Sequence, residues 1–127
     1  MQRQSDPRHQ RRRRIVQQLF ALSFTPNQEM DKETEKVWEE KTSIDPLIAK
    51  TAPEWPIEKL NKTDLAILRL AVYEMTIEKK QPVKVIIDEA VELAKEIGGE
   101  NSPSFINGVL GTIAEGYIDK EADGGKN

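Results

Sequence analysis

The stretch that decides the fold is NKTDLAILRLAVYEMTIEK, residues 61–79. Its main apolar residues recur every three or four positions, as on one face of a helix: Leu65, Leu68, Val72, Met75. Asn61 precedes the run as a candidate N-cap, and Gln81-Pro82 follows it as a break. The stretch therefore predicts a helix over residues 62–79 with an apolar stripe against a core.

Helical periodicity continues on the carboxyl-terminal side of this segment. Residues 83–97 carry a second apolar face and are followed by Gly98-Gly99. We expect these glycines to end the helix, because glycine tolerates the left-handed conformation at a helix end. Ser102-Pro103 then predicts the start of the last helix, with a capping serine and a proline in the first turn.

The amino-terminal side is also helical in pattern. The first predicted helix runs from Arg8 to before Pro26-Asn27, and a charged surface helix follows in 28–42. A short helix is predicted from the cap Asp45-Pro46 to Ala52. A turn at Pro53, Trp55 and Pro56 then leads to a short helix that ends at Leu60. No strand pattern appears. The sequence predicts an all-α fold, a compact bundle of five to seven helices in one domain over residues 8–120, with a flexible N-terminus (1–7) and a flexible tail (121–127).

Composition argues against several classes of function. The chain of 127 residues has no cysteine, and His9 is its single histidine. A thiolate metal site, a cysteine nucleophile and a Ser-His-Asp triad therefore lack their parts, and we expect no catalytic centre, no metal and no cofactor. No apolar run is long enough to span a membrane. The absence of cysteine is typical of a reducing cytoplasm, which is the expected location.

Charge is distributed unevenly along the chain. Residues 1–20 contain six arginines and one acid, whereas the remaining residues hold 13 basic and 21 acidic side chains. Arg69 is the only arginine outside the N-terminal segment. An acidic body with an arginine-rich end indicates a polyanionic partner at that end. Nucleic acid is the favoured partner, because the guanidinium group forms paired hydrogen bonds with phosphate and stacks on bases.

The arginines of the first helix can be assigned directions. Arg8 and Arg12 fall on the extension of the apolar stripe begun by Ile15 and Leu19, since successive residues turn by about 100°. We expect both to emerge beneath the start of the helix and to line a cleft with guanidinium groups. Arg13 and Arg14 point elsewhere.

Several other polar and aromatic residues could have a functional or a purely structural role. His9 adjoins the arginines and could contact RNA, although a lone surface histidine without a role is the simpler reading. Phe105 is either an exposed stacking platform or a core residue. Glu89 and its acidic neighbours on the helix at 83–97 are expected to form a solvated face and not a metal site. Trp38 and Trp55 are expected to be packing anchors.

The region from Leu60 to Leu110 resembles the C-terminal half of the NusB family. The resemblance rests on three segments in order, ILRLAVYEM (67–75), PVKVIIDEAVELAK (82–95) and FINGVL (105–110), and on the arginines followed by VQQLF (16–20). Between Phe20 and Ile44 the chain is about twenty residues shorter than the resemblance implies, so we expect a shortened N-terminal subdomain.

The resemblance implies a transcription antitermination factor of the bacterial type. Such a factor pairs with a NusE-type small-subunit ribosomal protein, binds boxA-like single-stranded RNA in nascent ribosomal RNA transcripts, and joins the RNA polymerase antitermination complex. By similarity, the RNA-binding residues would be Arg8, His9, Arg11, Arg12, Gln17, Asn101, Ser104 and Phe105. The partner-binding residues would be Phe20, Phe24, Glu58 and Asp64.

Two other classes of function compete with this reading. One is a helical protein–protein adaptor that uses the basic helix to bind an acidic partner. The other is an RNA-modifying enzyme with a NusB-like module, but the chain is too short for a catalytic domain and lacks the glycine-rich loop of a dinucleotide-type cofactor fold.

Overall fold

The computed structural model describes residues 6–52 and 56–125, and these residues form six α-helices without a strand. The helices are α1 (Pro7–Phe24), α2 (Lys32–Glu39), α3 (Lys41–Thr51), α4 (Lys62–Tyr73), α5 (Val83–Ile97) and α6 (Ser102–Gly125). A 3-10 turn, Ile57–Lys59, precedes α4, and a π-helical turn, Glu74–Glu78, follows it. The all-α class and the expected number of helices are confirmed.

The ends of the helices differ from expectation at several points. Asp6 caps α1, since its Oδ1 accepts the Arg8 N–H at 2.8 Å. The backbone of α6 runs on to Gly125, past the domain boundary that we expected at residue 120. Pro53 and Trp55 of the predicted turn lie outside the described residues.

Helix α4 is the centre of the bundle. Every residue from Asp64 to Val72 is buried, and the helix contacts α1, α2, α3, α5 and α6. The prediction of a single apolar stripe was therefore too narrow, because neighbours cover all sides of this helix. The predicted cap is confirmed: Asn61 Oδ1 accepts the N–H groups of Thr63 and Asp64 at 2.9 and 3.1 Å.

An ion pair within the bundle holds Asp45, the residue that we expected to cap α3. Arg69 of α4 is buried and donates two hydrogen bonds to Asp45, at 3.0 and 2.8 Å. The prediction that Asp45-Pro46 opens a helix was wrong, because α3 begins at Lys41 and contains both residues. The Asp45 side chain is engaged by Arg69, and the helix tolerates Pro46 at the cost of one backbone hydrogen bond.

The turn between α5 and α6 requires glycine because a side chain would not fit there, and not because the backbone is left-handed. Gly98 has φ −90°, and no glycine of the described residues has a positive φ, so that part of the prediction was wrong. A Cβ at Gly98 would lie 2.7 Å from the Ala94 carbonyl oxygen and 2.7 Å from Ser102 Cβ. Ser102 is the first residue of α6 and not its cap, and its hydroxyl accepts the Gly99 N–H at 2.9 Å.

We predict that Gly98→Ala lowers the free energy of unfolding by about 1–3 kcal/mol, because the new methyl group meets backbone that cannot easily move. Urea denaturation followed by circular dichroism measures the change. Gly99→Ala is the matched control, because a Cβ there meets only Ser102 Oγ, at 3.8 Å. Equal effects of the two substitutions would contradict the steric explanation.

Candidate nucleic-acid interface

The basic first helix is anchored by charged side chains in the protein interior. His9 and Arg12 of α1 are 1% and 4% exposed. Both meet carboxylates of the α4–α5 region, and together they form what we call the interior cluster: His9, Arg12, Glu74, Glu89, Glu96. These contacts join α1 to the π-helical turn and to α5.

Arg12 contacts two carboxylates of the cluster. Its Nε and Nη2 donate to the Glu74 carboxylate, with the shortest distances 3.0 and 2.8 Å, and its Nη1 lies 3.4 Å from Glu89 Oε1. Burial acts to lower the pKa of Arg12, but the hydrogen bonds and negative charge of Glu74, followed by the charge of Glu89, raise it overall. The guanidinium group therefore remains charged inside the protein.

His9 lies between two carboxylates. Its Nδ1 is 3.4 Å from Glu89 Oε1, and its Nε2 is 2.8 Å from Glu96 Oε2. The expectation of a surface histidine was wrong, and so was the expectation that Glu89 lies on a solvated face. The sequence held a signal for this, because His9 precedes the buried Val16 by seven residues and so shares its side of the helix.

The predicted guanidinium-lined cleft is not formed by Arg8 and Arg12. Arg12 points toward the body, as its helix angle predicted, but it is enclosed there by the carboxylates of the interior cluster. The Arg8 side chain is 70% exposed and pairs with the cap residue Asp6 at 3.2 Å. The two arginines therefore occupy different environments.

The remaining described arginines of α1 lie partly at the surface and are paired. Arg11 contacts Glu33 at 2.6 Å, Arg13 contacts Glu96 at 3.2 Å, and Arg14 contacts Asp31 at 2.7 Å. Acidic residues of α5 and of the α2 region thus neutralise much of the positive charge that the sequence shows at the N-terminal end. Each of these arginine side chains is still between 39% and 51% exposed.

One side of α1 is joined to the end of α5. Gln17 is exposed and follows Arg13 by one helical turn, and the Arg13–Glu96 pair joins this side to the last turn of α5. Asn101, between α5 and α6, and Ser104, in the first turn of α6, are both exposed. Sequence reasoning set Arg13 aside, although its four-residue spacing from Gln17 places both on one face. Phe105 is partly buried and packs against the core.

The aromatic candidates for partner binding form an exposed pair. Phe20 and Phe24 are 38% and 62% exposed, and their rings meet edge to face with centroids 5.0 Å apart. Glu58 is exposed on the 3-10 turn. Asp64, by contrast, is buried near the start of α4.

Asp64 connects α4 to the α5–α6 turn. Burial raises the pKa of its carboxyl group, and a hydrogen bond with the Ser102 side chain opposes that shift. Its Oδ1 is buried and has no hydrogen-bond partner among the described residues. The charged form of Asp64 is therefore poorly solvated in the folded protein.

The described residues contain no group of three or more histidine, cysteine, aspartate or glutamate side chains arranged to hold a metal ion. None of the described helices is both long and apolar enough to cross a membrane.

The architecture defines an all-helical domain built around a buried central helix, with a basic first helix clamped by acidic side chains. Comparison with known proteins then assigns the family. A family model described as "NusB family" matches residues 28–115. The chain belongs to the NusB family.

Individual relatives agree with this assignment. The transcription antitermination protein NusB of Chloroflexus aggregans is 45% identical over 89 residues, which cover 68% of this chain and 59% of that protein. The match to the Roseiflexus sp. protein of the same name covers a similar share, 60%, of that protein. The NusB protein of Carboxydothermus hydrogenoformans is 37% identical over an alignment that covers 89% of this chain and 95% of that protein.

Solved structures share the fold. T. maritima NusB superposes with a TM-score of 0.76 at 33% identity and covers 87% of this chain and 92% of that chain. A chain from the structure titled "Crystal Structure of a Plectonemic RNA Supercoil" superposes with a TM-score of 0.75 at 22% identity, covers 87% of this chain and 97% of that chain, and supports the fold alone.

We predict that Asp64→Asn stabilises the protein at neutral pH, by an amount on the order of 1 kcal/mol, the usual size for one polar contact. Folding raises the pKa of Asp64, so the protonated carboxyl group favours the folded state. This contribution to stability is fully present below the pKa of Asp64 in the unfolded chain, and it is lost as pH rises through the pKa in the folded protein. Urea denaturation at pH 7 and near pH 3 should show the gain only at pH 7. Asp88→Asn, at an exposed position, is the control. An equal increase in the free energy of unfolding of Asp64→Asn at both pH values would refute the explanation.

Proposed function

We propose that this protein is an RNA-binding transcription antitermination factor. It would act with a NusE-type small-subunit ribosomal protein, bind boxA-like single-stranded RNA in nascent ribosomal RNA transcripts, and join the RNA polymerase antitermination complex in the cytoplasm. The family assignment and the names of the relatives, each a transcription antitermination protein, support the general role.

The observation that carries the RNA-binding part of the proposal is the exposure of polar side chains along α1. The side chains of Arg8 and Arg13 are 70% and 42% exposed, and Gln17 lies one turn beyond Arg13. Arg8 lies about 140° around the helix from Arg13, so these groups would reach a ligand from two sides of α1. Guanidinium groups form charge-assisted hydrogen bonds with phosphate, and amide side chains hydrogen-bond to bases. Asn101 and Ser104 would extend this surface from the start of α6, and Arg11 would contribute from the other flank.

His9 and Arg12 take a different part in the proposal. Their burial in the interior cluster leaves almost no surface for RNA to contact. They would act by fixing α1 against the body, so that the exposed side chains of that helix keep a constant spacing. Phe105, which packs partly into the core, would present only one edge to a base.

The partner surface would include Phe20 and Phe24. Exposed aromatic side chains are enriched at protein interfaces, and the edge-to-face contact holds these two in a fixed arrangement. Glu58 would add a charged contact at the rim. Asp64 is buried, so it would act on a partner only through the position of the α4 start.

A helical protein–protein adaptor is the second candidate. Its support is that the described arginines of α1 already pair with carboxylates, as they would with an acidic protein surface. The two candidates differ in their response to RNA, because phosphate binding releases counterions and depends strongly on salt.

The test is fluorescence anisotropy of a labelled single-stranded boxA-type RNA, with and without the NusE-type protein. We expect the partner to tighten binding. Arg8→Ala/Arg13→Ala should weaken it by roughly tenfold or more, since hydrogen bonds to charged groups contribute about 1.5–3 kcal/mol. The plot of log affinity against log salt concentration should become less steep by about 1.4, because each of the two lost phosphate contacts accounts for about 0.7.

The control is Lys50→Ala/Lys84→Ala, which removes two exposed positive charges from other helices. Equal weakening by both double variants would show that only net charge matters and would remove the assigned surface. No RNA binding with the partner present would refute the antitermination role and leave the adaptor.

A further inference from the structure

We propose that Arg11 and Arg14 form a second phosphate-binding surface on α1, and that Asp31 and Glu33 occupy it as an intramolecular competitor of RNA. We call this surface the α2 flank. The inference rests on the proposed RNA-binding function and adds to it a built-in limit on affinity.

The two carboxylates contact the guanidinium groups where phosphate oxygens would bind. Arg14 Nε donates to Asp31 Oδ2 at 2.7 Å, and Arg11 Nη1 donates to Glu33 Oε2 at 2.6 Å. Arg14 Nη2 also lies 3.7 Å from Glu33 Oε1. Carboxylate and phosphate offer a guanidinium group the same kind of charged oxygen acceptor. An RNA phosphate at this flank must therefore displace or share these contacts.

The start of α2 is held firmly against α1. Gln18 Oε1 accepts the Asp31 N–H at 3.0 Å and the hydroxyl of the buried Thr34 at 2.7 Å. Gln18 Nε2 donates to Asp31 Oδ2 at 3.1 Å. The Asp31 side chain makes no capping hydrogen bond to its own helix and turns to α1 instead. Asp31 is therefore fixed in position, and the helix start that carries Glu33 is held beside α1.

Asp31 stays charged at neutral pH. The hydrogen bond from Arg14, and then that from Gln18, lower the pKa of Asp31. A protonated carboxyl group would release the guanidinium group, so the lowered pKa extends the competition at Arg14 further into the acidic range.

The α2 flank retains unused capacity for an anion. Arg11 Nε is buried and has no hydrogen-bond partner among the described residues. Beside Arg11 lies a cavity of about 120 Å³, bounded at one side by part of the interior cluster. The cavity is lined by four basic side chains, which include Lys36 and Lys80, and by three acidic ones, which include Glu33 and Glu78. Loss of the Glu33 charge would increase the positive excess at this cavity.

The contacts are weak enough for RNA to compete with them. Exposed ion pairs contribute little to stability, because water and salt screen them. These pairs are half-exposed, so we expect them to lower RNA affinity several-fold without abolishing it.

Glu33→Gln is the decisive variant, compared with Glu35→Gln. Glu35 is exposed on the same helix and forms no ion pair with the described residues, so the two substitutions change net charge equally. We expect Glu33→Gln to tighten binding of single-stranded boxA-type RNA about threefold to fivefold, in line with the loss of an exposed pair. The salt slope should steepen by about 0.7, as for one additional phosphate contact.

A second variant tests the route of the effect. Arg11→Gln in the Glu33→Gln background should cancel most of the gain, because the freed guanidinium group is then absent. A gain that persists without Arg11, or equal gains from Glu33→Gln and Glu35→Gln, would overturn the α2 flank while leaving RNA binding by the wild type intact.

Retention on heparin separates this inference from the proposed function. If the wild type binds no RNA but Glu33→Gln is retained on heparin more strongly than Glu35→Gln, the RNA function fails and the competition at Arg11 stands. Equal retention of the two variants together with equal RNA affinity overturns the competition.

Discussion

The hydrogen-bonded ion pair between Arg12 and Glu74 is the contact on which the arrangement of this protein depends. It lies inside the bundle, where an unpaired guanidinium or carboxylate group would be strongly destabilising. Glu89 and His9 complete the polar groups around it, so that charge on α1 is matched by charge on the π-helical turn and on α5. The basic helix therefore has one defined position relative to the central helix α4.

This constraint divides the arginines of α1 into two groups with different consequences. Arg12 is structural, because it is enclosed and always paired. Arg8, Arg11, Arg13 and Arg14 are paired but partly open, so their partners can be exchanged for a ligand. In the proposed function the same helix then serves as a fixed scaffold on its inner side and as a surface for phosphate on its outer side. Exchange of a carboxylate for a phosphate preserves charge balance, which makes such a surface compatible with an acidic body.

Much of the fold could be predicted from the sequence because it depends on local pattern. The apolar periodicity of residues 83–97 and the cap at Asn61 led directly to elements that the structure contains. The prediction that a helix begins at Asp45-Pro46 failed because Asp45 pairs with Arg69 of another helix. Local preferences for helix caps contain no information on such a tertiary partner. The glycine at 98 was recognised as a stop, but its reason is a close approach to Ser102 that only the packed turn shows.

The candidate site was harder to predict than the fold. Helix geometry correctly directed Arg12 toward the body, yet it could not show that carboxylates from residues 62 and 77 positions away would meet it there. The same limitation hid the partners of His9 and Glu89, although the spacing of His9 from Val16 indicated the buried side of α1. Long-range charge pairing leaves no periodic trace in a single sequence, whereas apolar burial does.

The most direct test of this account is a double-mutant cycle between Arg12 and Glu74, with Arg12→Met, Glu74→Met and the double variant measured by urea denaturation at pH 7. Each single substitution leaves a buried charge without its main partner and should cost about 3–5 kcal/mol. The double variant removes both charges and should cost less than the sum of the two by about 2–3 kcal/mol. Additive losses, or single losses below about 1 kcal/mol as for an exposed ion pair, would contradict the claim that this buried pair fixes the basic helix.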